Sequence, residues 1–309
     1  MSADIRLTQA YKKALVKYFD KDSKYVFFSD CHRGDDSASD EFARNQAIVL
    51  HALSYYYEKQ FVYVEAGDGD DLWEHKNFKY IRSAHMDVFS ILKKFHEKKR
   101  LIMLYGNHNI YLKDRNYVKE NYYFYYNEFK EKQEPFLYKL NPVEGLLLKE
   151  RITGQEIFVV HGHQGDIVND RLWYLSMVGV RYFWRFVHLV GIRNPASPAK
   201  NQHKRHKMEI KYSKWMQNKD IILICGHTHR MKFPKRNELP YFNIGCCVRS
   251  KGITTIELEN NKLSLVEWRI LAGKEGEMRV FRRVIGESVS IDNWFTKKQK
   301  IKGKQFDIL

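Results

Sequence analysis

Residues 25–32 read Tyr25-Val26-Phe27-Phe28-Ser29-Asp30-Cys31-His32, four apolar side chains running into an aspartate and a histidine two positions apart. A short apolar run of this kind reads as a buried strand, which leaves the polar cluster at the strand's carboxyl end. The same construction returns four times. Phe61 to Val64 precedes Ala66-Gly67-Asp68-Gly69-Asp70-Asp71, and Leu101 to Leu104 precedes Tyr105-Gly106-Asn107-His108-Asn109. Ile157 to Val160 then precedes His161-Gly162-His163, and Ile221 to Ile224 precedes Cys225-Gly226-His227-Thr228-His229. Between the first three strands lie helical patterns over 41–59 and 83–99, the second carrying Met86, Phe89, Leu92 and Phe95 at three-residue spacing. Strand, helix, strand implies crossover connections, a sheet covered by helices and ligand-binding loops gathered at the strand ends. The fold class is α/β.

Working outward, residues 241–244, 253–258 and 263–268 alternate as further strands, the last two joined across Asn260-Asn261 as a hairpin. The core is expected to close near Ile270, giving a main domain over 24–270 and a basic C-terminal extension over 271–309. Two stretches break the pattern. Residues 110–142, dense in tyrosine and alternating charge, read as an inserted helical pair or a plain long connection. Residues 164–220 are too long for a simple loop and are expected to form an inserted helical lid.

A hydrophobic content of 44% over 309 residues excludes a disordered chain. The formal charge of +16 implies attraction to phosphate-rich partners, whether nucleotides, nucleic acid or an anionic membrane face, unless the protein is merely soluble and basic. Cys31, Cys225, Cys246 and Cys247 show no Cys-x-x-Cys spacing, which fits a reducing compartment. The start of the chain lacks the apolar stretch of a signal peptide. The most apolar region, 172–192, is interrupted by Arg181, Arg185 and His188, which argues against a membrane span but allows the region to lie on a membrane. The expected location is cytoplasmic, peripheral to the inner membrane face at most.

Asp-x-His directly after a strand places a hard oxygen and a borderline nitrogen on one side of a turn, a pairing suited to manganese, iron or zinc. In Gly-His-Thr-His two imidazoles two residues apart point to the same side of an extended segment. Each pair alone reads as a satisfied core histidine or a turn-forming aspartate. Five in order at strand ends supply two carboxylates, an amide and four imidazoles, a donor set for two neighbouring divalent metal ions.

These motifs, over about 25–270, resemble the calcineurin-like metallophosphoesterase superfamily, whose series reads Asp-x-His, Gly-Asp-x-x-Asp, Gly-Asn-His-Asp, a His-Gly segment and Gly-His-x-His. The resemblance implies a two-sheet β sandwich flanked by helices, with both metals at one edge. It also implies that Asp30, His32 and His229 bind one metal, that Asn107, His161 and His227 bind the other, and that Asp68 bridges them. The register of Gly67-Asp68-Gly69-Asp70-Asp71 favours Asp68 over Asp70 as the bridge. His108 then becomes the proton donor to the leaving oxygen, with Asp71 holding its other nitrogen. Asn109 departs from the pattern, standing where the family usually has an acid.

The implied reaction is phosphoester hydrolysis by metal-activated water. For the substrate, Gly67-Asp68-x-x-Asp71-x-Trp73 and the insertion after His161-Gly162 are similar to the branch that cleaves UDP-2,3-diacylglucosamine, a lipid-linked nucleotide diphosphate. Arg33, His163, Arg181 and Arg185 are candidate substrate contacts, with His163 equally readable as a turn residue. A nuclease following nucleic acid with its positive surface, a protein serine/threonine phosphatase and a non-catalytic scaffold are the competing readings. Leu72-Trp73 in place of Arg-Gly stands against the phosphatase.

Overall fold

The computed structural model describes residues 3–164, 166, 174, 177, 178, 202–217, 219–235, 238–250, 252–273 and 275–295. In chain order the strands are β1 (Leu15–Phe19), β2 (Tyr25–Phe28), β3 (Val62–Ala66), β4 (Leu101–Leu104), β5 (Phe124–Asn127), β6 (Lys132–Pro135) and β7 (Gly145–Glu150). They continue as β8 (Glu156–Val160), β9 (Ile221–Cys225), β10 (Tyr241–Asn243), β11 (Ile253–Glu259), β12 (Lys262–Ala272) and β13 (Met278–Ser290). The helices are α1 (Ala3–Lys12), α2 (Gln46–Glu58), α3 (Phe78–Ala84), α4 (Met86–Glu97), α5 (Arg115–Tyr122) and α6 (Gln202–Met216).

Two sheets result, ordered β1-β7-β8-β9-β10 and β13-β12-β11-β2-β3-β4. The alternation of side chains along each strand divides the apolar residues between layers. Tyr25 and Phe27 of β2 face inward with Val64, Leu146, Val159, Ile222 and Ile224, filling the space between the sheets. Val26 and Phe28 face outward, beneath Val49, Leu53, Phe89 and Leu92 of α2 and α4. On the opposite outer face, Leu7 and Ala10 of α1 and Tyr212 and Trp215 of α6 cover Phe158 and Leu223. The order is therefore helix, sheet, sheet, helix, the sandwich that the resemblance implies.

β2, β3 and β4 are parallel, as are β8 and β9, so all five strands carry their polar clusters to their carboxyl ends. The Asn260-Asn261 turn joins β11 to β12, with φ of 52° and 56°. Two left-handed residues in succession are what a tight hairpin of the favoured twist requires, and asparagine tolerates that conformation.

Three expectations need correcting. The core does not close near Ile270: β13 pairs with β12 from Lys262 to Ala272, and Ile291, Trp294 and Phe295 are buried with the inter-sheet core. The arginines of β13 hid its alternation, since this edge strand leaves most of its side chains exposed. Residues 110–142 are neither a helical pair nor a bare connection, but a 3-10 turn, α5 and the β5–β6 ribbon. Of 164–220, α6 is an outer layer of the sandwich, buried through Met208, Tyr212, Trp215 and Met216. Arg181 and Arg185 lie outside the described residues. Among the described residues, no helix is long and apolar enough to cross a membrane.

Trp294 packs edge-on against Phe242 at a centroid distance of 5.1 Å. Replacing it by alanine should destabilise the protein by about 3–5 kcal/mol, the usual cost of deleting a large buried ring. A urea midpoint unchanged in Trp294→Ala would show that residues beyond 290 add nothing to the core.

Candidate metal centre

The strand ends place their polar residues in an unusual backbone conformation. Asp30 (φ 53°), His32 (49°), Asp68 (51°), His227 (65°) and His229 (54°) all lie in the left-handed region. Non-glycine residues there store strain of order 1–3 kcal/mol each, and such strain gathers at functional sites. Hydrogen bonds between the turns hold it. Asp30 N donates to Gly67 O at 3.1 Å, His32 N to Asp68 O at 2.9 Å and Gly226 N to His161 O at 2.9 Å. Close approach also requires Gly106, where a Cβ would run into the Asp68 carboxylate.

Two groups of donor atoms result. In the first, His229 Nε2 lies 3.0 Å from Asp30 Oδ1 and 3.2 Å from His32 Nε2. In the second, His161 Nε2 lies 3.0 Å from Asp68 Oδ2, and His227 completes the cluster. The same Asp68 oxygen is 4.0 Å from His32 Nε2, so this carboxylate stands between the groups. Asp70 points elsewhere, accepting from Arg33 Nε and the Tyr122 hydroxyl, each at 2.7 Å.

Hydrogen bonding fixes which atoms remain. His161 Nδ1 donates to the Ala66 carbonyl at 3.0 Å, which leaves Nε2 with its lone pair. Ser29 Oγ and His227 N both donate to Asp30 Oδ2, leaving Oδ1. His108 N donates to Asp68 Oδ1. Asn107 Oδ1 and His227 Nε2 are then buried without a hydrogen-bond partner, and Asp30 Oδ1 and His161 Nε2 make no well-aligned hydrogen bond, meeting only the other candidate ligands His229 and Asp68. Orphaned buried polar atoms are costly, and here they are the donors a pair of divalent cations would take. The residues fit two metal ions.

Electrostatics agrees. Burial opposes charge on Asp68, but the imidazoles of His161 and His108 beside it keep its carboxyl well below the usual range. Burial likewise opposes charge on Asp30, yet His229 and His161 hold it far down. Burial also disfavours the charged form of His229, but the Asp30 carboxylate outweighs it and raises the group to about 10. Without cations, the centre balances its carboxylates with protons.

Around this centre, Asp71 serves two imidazoles, with Oδ1 3.0 Å from His108 Nδ1 and Oδ2 3.3 Å from His32 Nδ1. Trp73 stacks on the His108 ring at 4.4 Å. Asn109, the departure noted in the sequence, accepts from Gly106 N at 2.6 Å and Asp68 N at 3.3 Å through its amide oxygen. An oxygen of either side chain can brace the turn in this way.

Two substrate candidates change standing. Arg33 is fully buried, bound to Glu65 at 2.7 Å and to Asp70 at 2.7 Å, so it cannot meet a substrate. A buried guanidinium is held where carboxylates repay its desolvation, and Glu65 inside an apolar strand needed such a partner. His163 is buried beside His161, and burial, reinforced by the charges of His161 and His227, keeps it uncharged. Asp166, not singled out by any motif, brings Oδ2 to 3.6 Å from His227 Nε2.

The family model described as calcineurin-like phosphoesterase matches residues 23–231, more than half of the chain. The chain belongs to that family and is a phosphoester hydrolase that uses divalent metal ions. No curated protein matches it in sequence. A mutant of cold-active protein tyrosine phosphatase overlays it at 12% identity and a TM-score of 0.39, covering 89% of this chain and 84% of the other. Vps29 of Chaetomium thermophilum overlays it at 8% and 0.36, covering 88% and 100%. GAP50 of Plasmodium overlays it at 10% and 0.40, covering 86% and 89%. Overlays this distant carry no argument, and the family rests on the sequence match.

Because His229 is raised to about 10, it holds its proton at neutral pH in the metal-free protein, and a cation must displace it. Metal affinity should therefore rise with pH and level off above about 10. Calorimetry in buffers of different ionisation enthalpy should show proton release at pH 8, and a buffer-independent heat would contradict this.

Proposed function

We propose that two divalent cations are held here, one by Asp30, His32 and His229 and the other by Asn107, His161 and His227, with Asp68 shared, and that His108 donates the proton to the leaving oxygen of the phosphoester. The single observation that supports this most strongly is the set of four buried donor atoms, from Asp30, Asn107, His161 and His227, that no well-aligned hydrogen bond satisfies. The mixed oxygen and nitrogen donors suit manganese, iron or zinc. When bound, the cations would clamp the phosphoryl group, lower the pKa of a shared water and stabilise the entering and leaving oxygens of an in-line displacement.

The chain's own part is positioning and proton transfer. Asp71 accepts the Nδ1 proton of His108 and thereby leaves Nε2 for the leaving group. Trp73 fixes the plane of the ring, and its packing keeps the imidazole from turning away from the site. His108 retains about a fifth of its side-chain exposure, at 22%, whereas Asp68, Asn107, His161 and His227 are buried, so its ring is open to an incoming substrate.

The finer specification, a lipid-linked nucleotide diphosphate, rests on the Trp73 motif and on an insertion whose arginines lie outside the described residues. A panel of nucleotides, lipid diphosphates, phosphopeptides and single-stranded DNA separates this substrate from the phosphatase and nuclease readings.

Two measurements check the central reading. His108→Asn should keep the metal content measured by elemental analysis while turnover of an alkyl phosphate ester, whose basic leaving oxygen needs a proton, falls by about 10²–10⁴; undiminished turnover of that ester would refute the acid role. Chelation should abolish turnover in the unaltered protein, with recovery on adding manganese. Activity that survives chelation and elemental confirmation of metal loss is incompatible with the reading.

A further inference from the structure

We propose that the cleft flanking the His108 loop, at the seam between the two sheets, is a second anion-binding site suited to a small ligand carrying more than one phosphate. The cleft encloses about 530 Å³ and is lined by Lys13, Lys113 and Arg115, together with Tyr105, Asn141 and Glu144. That volume falls within the range of small-molecule sites, about 300–1,000 Å³.

Its position follows from the chain. The seam is drawn together where Leu104 at the end of β4 bridges Val143, with Tyr105 N donating to Val143 O at 3.1 Å. Tyr105 immediately precedes Gly106, and Leu112 and Lys113 lie in the 3-10 turn that follows Asn109. The two ends of the loop carrying Asn107 and His108 thus form walls of the cleft. Lys13, which follows α1, is supplied from the other sheet's side.

The charges identify the ligand class. Among the described residues, none of Lys13, Lys113 and Arg115 makes an ion pair, and all three are exposed. The acids nearby are already committed. Glu144 accepts from Arg6 at 3.3 Å and from Gln164 at 3.3 Å, and Asp114 caps α5 by accepting from Asn116 N at 2.9 Å. Three cations lining one concavity repel one another unless an anion joins them. A lone phosphate would leave most of the space empty, whereas a chain of phosphates reaches several of the cations. Burial, with Glu144 adding to it, pushes the Tyr105 hydroxyl up, so the inner wall gains no phenolate charge there.

The site makes no use of the metal cluster, so it stands or falls separately from the hydrolytic reading. The experiment is a calorimetric titration of the chelator-treated, full-length protein with inorganic tripolyphosphate, in parallel with orthophosphate and a nucleoside triphosphate. Saturable binding of tripolyphosphate is expected, weakened about tenfold or more in Lys113→Glu/Arg115→Glu and again in Lys13→Glu, which alters a separate element. A control of equal charge change, Lys79→Glu/Lys262→Glu on exposed positions of α3 and β12, should stay within about twofold of the unaltered protein. Turnover of nitrophenyl phosphate by the metal-loaded variants should be unchanged. Tighter binding of the nucleotide would name a nucleoside polyphosphate as the source, and equal binding a free oligophosphate. Equal weakening in the control, no saturable binding, or orthophosphate binding as tightly as tripolyphosphate would each overturn the proposal.

Discussion

The whole arrangement depends on turns that reverse direction immediately after the strands. A strand that simply continued would carry Asp30 and Asp68 past one another. Left-handed residues after β2, β3 and β9 instead fold Asp30, Asp68 and His227 back over the sheet edge. The conformations are individually unfavourable, and they persist because each turn is hydrogen-bonded to another turn. Asp30 alone shows the pattern: its amide is held by Gly67, its carbonyl accepts from Cys247 N, and its carboxylate receives the His227 amide. The proposed ligands are thus positioned by one another's backbones before any cation arrives, which is preorganisation in the sense that matters for binding.

Directly behind this strained layer lies a compensated one. Arg33 bridges Glu65 and Asp70, and the Tyr63 and Tyr122 hydroxyls donate to the same two carboxylates. Two acids two residues apart therefore meet opposite fates. Asp70 faces a guanidinium and is internally neutralised, whereas Asp68 faces imidazoles and an oxygen-accepting space. The period of two along an extended segment accounts for neither alone; the sharp turn at Gly67, with φ of 91°, is what sends Asp68 away from the layer that Asp70 joins.

Much of this was legible in the sequence because parallel strands in a covered sheet are apolar throughout, so their ends are marked by the first polar residues. That is why Asp30, Asp68, Asn107, His161 and His227 could be located from Tyr25 to Cys225 without knowing the strand order. The N-terminal α1 and β1 escaped notice because β1 has mixed polarity and pairs with β7, far along the chain. The exclusion of Arg33 from substrate contact was also hidden, although the signal existed: Glu65 inside Val62–Ala66 is a charge in an otherwise apolar strand and calls for a buried cation. The role of Asn109 could not be read at all, since it depends on which of its side-chain atoms faces Gly106 and Asp68.

The strand order has a consequence for biosynthesis. β2 lies between β3 and β11, and β11 begins only at Ile253, so one flank of β2 stays without its neighbour until more than two hundred further residues have been translated. During that interval the nascent chain presents an apolar, hydrogen-bonding margin close to its own N-terminus, the kind of surface on which other chains can nucleate aggregation.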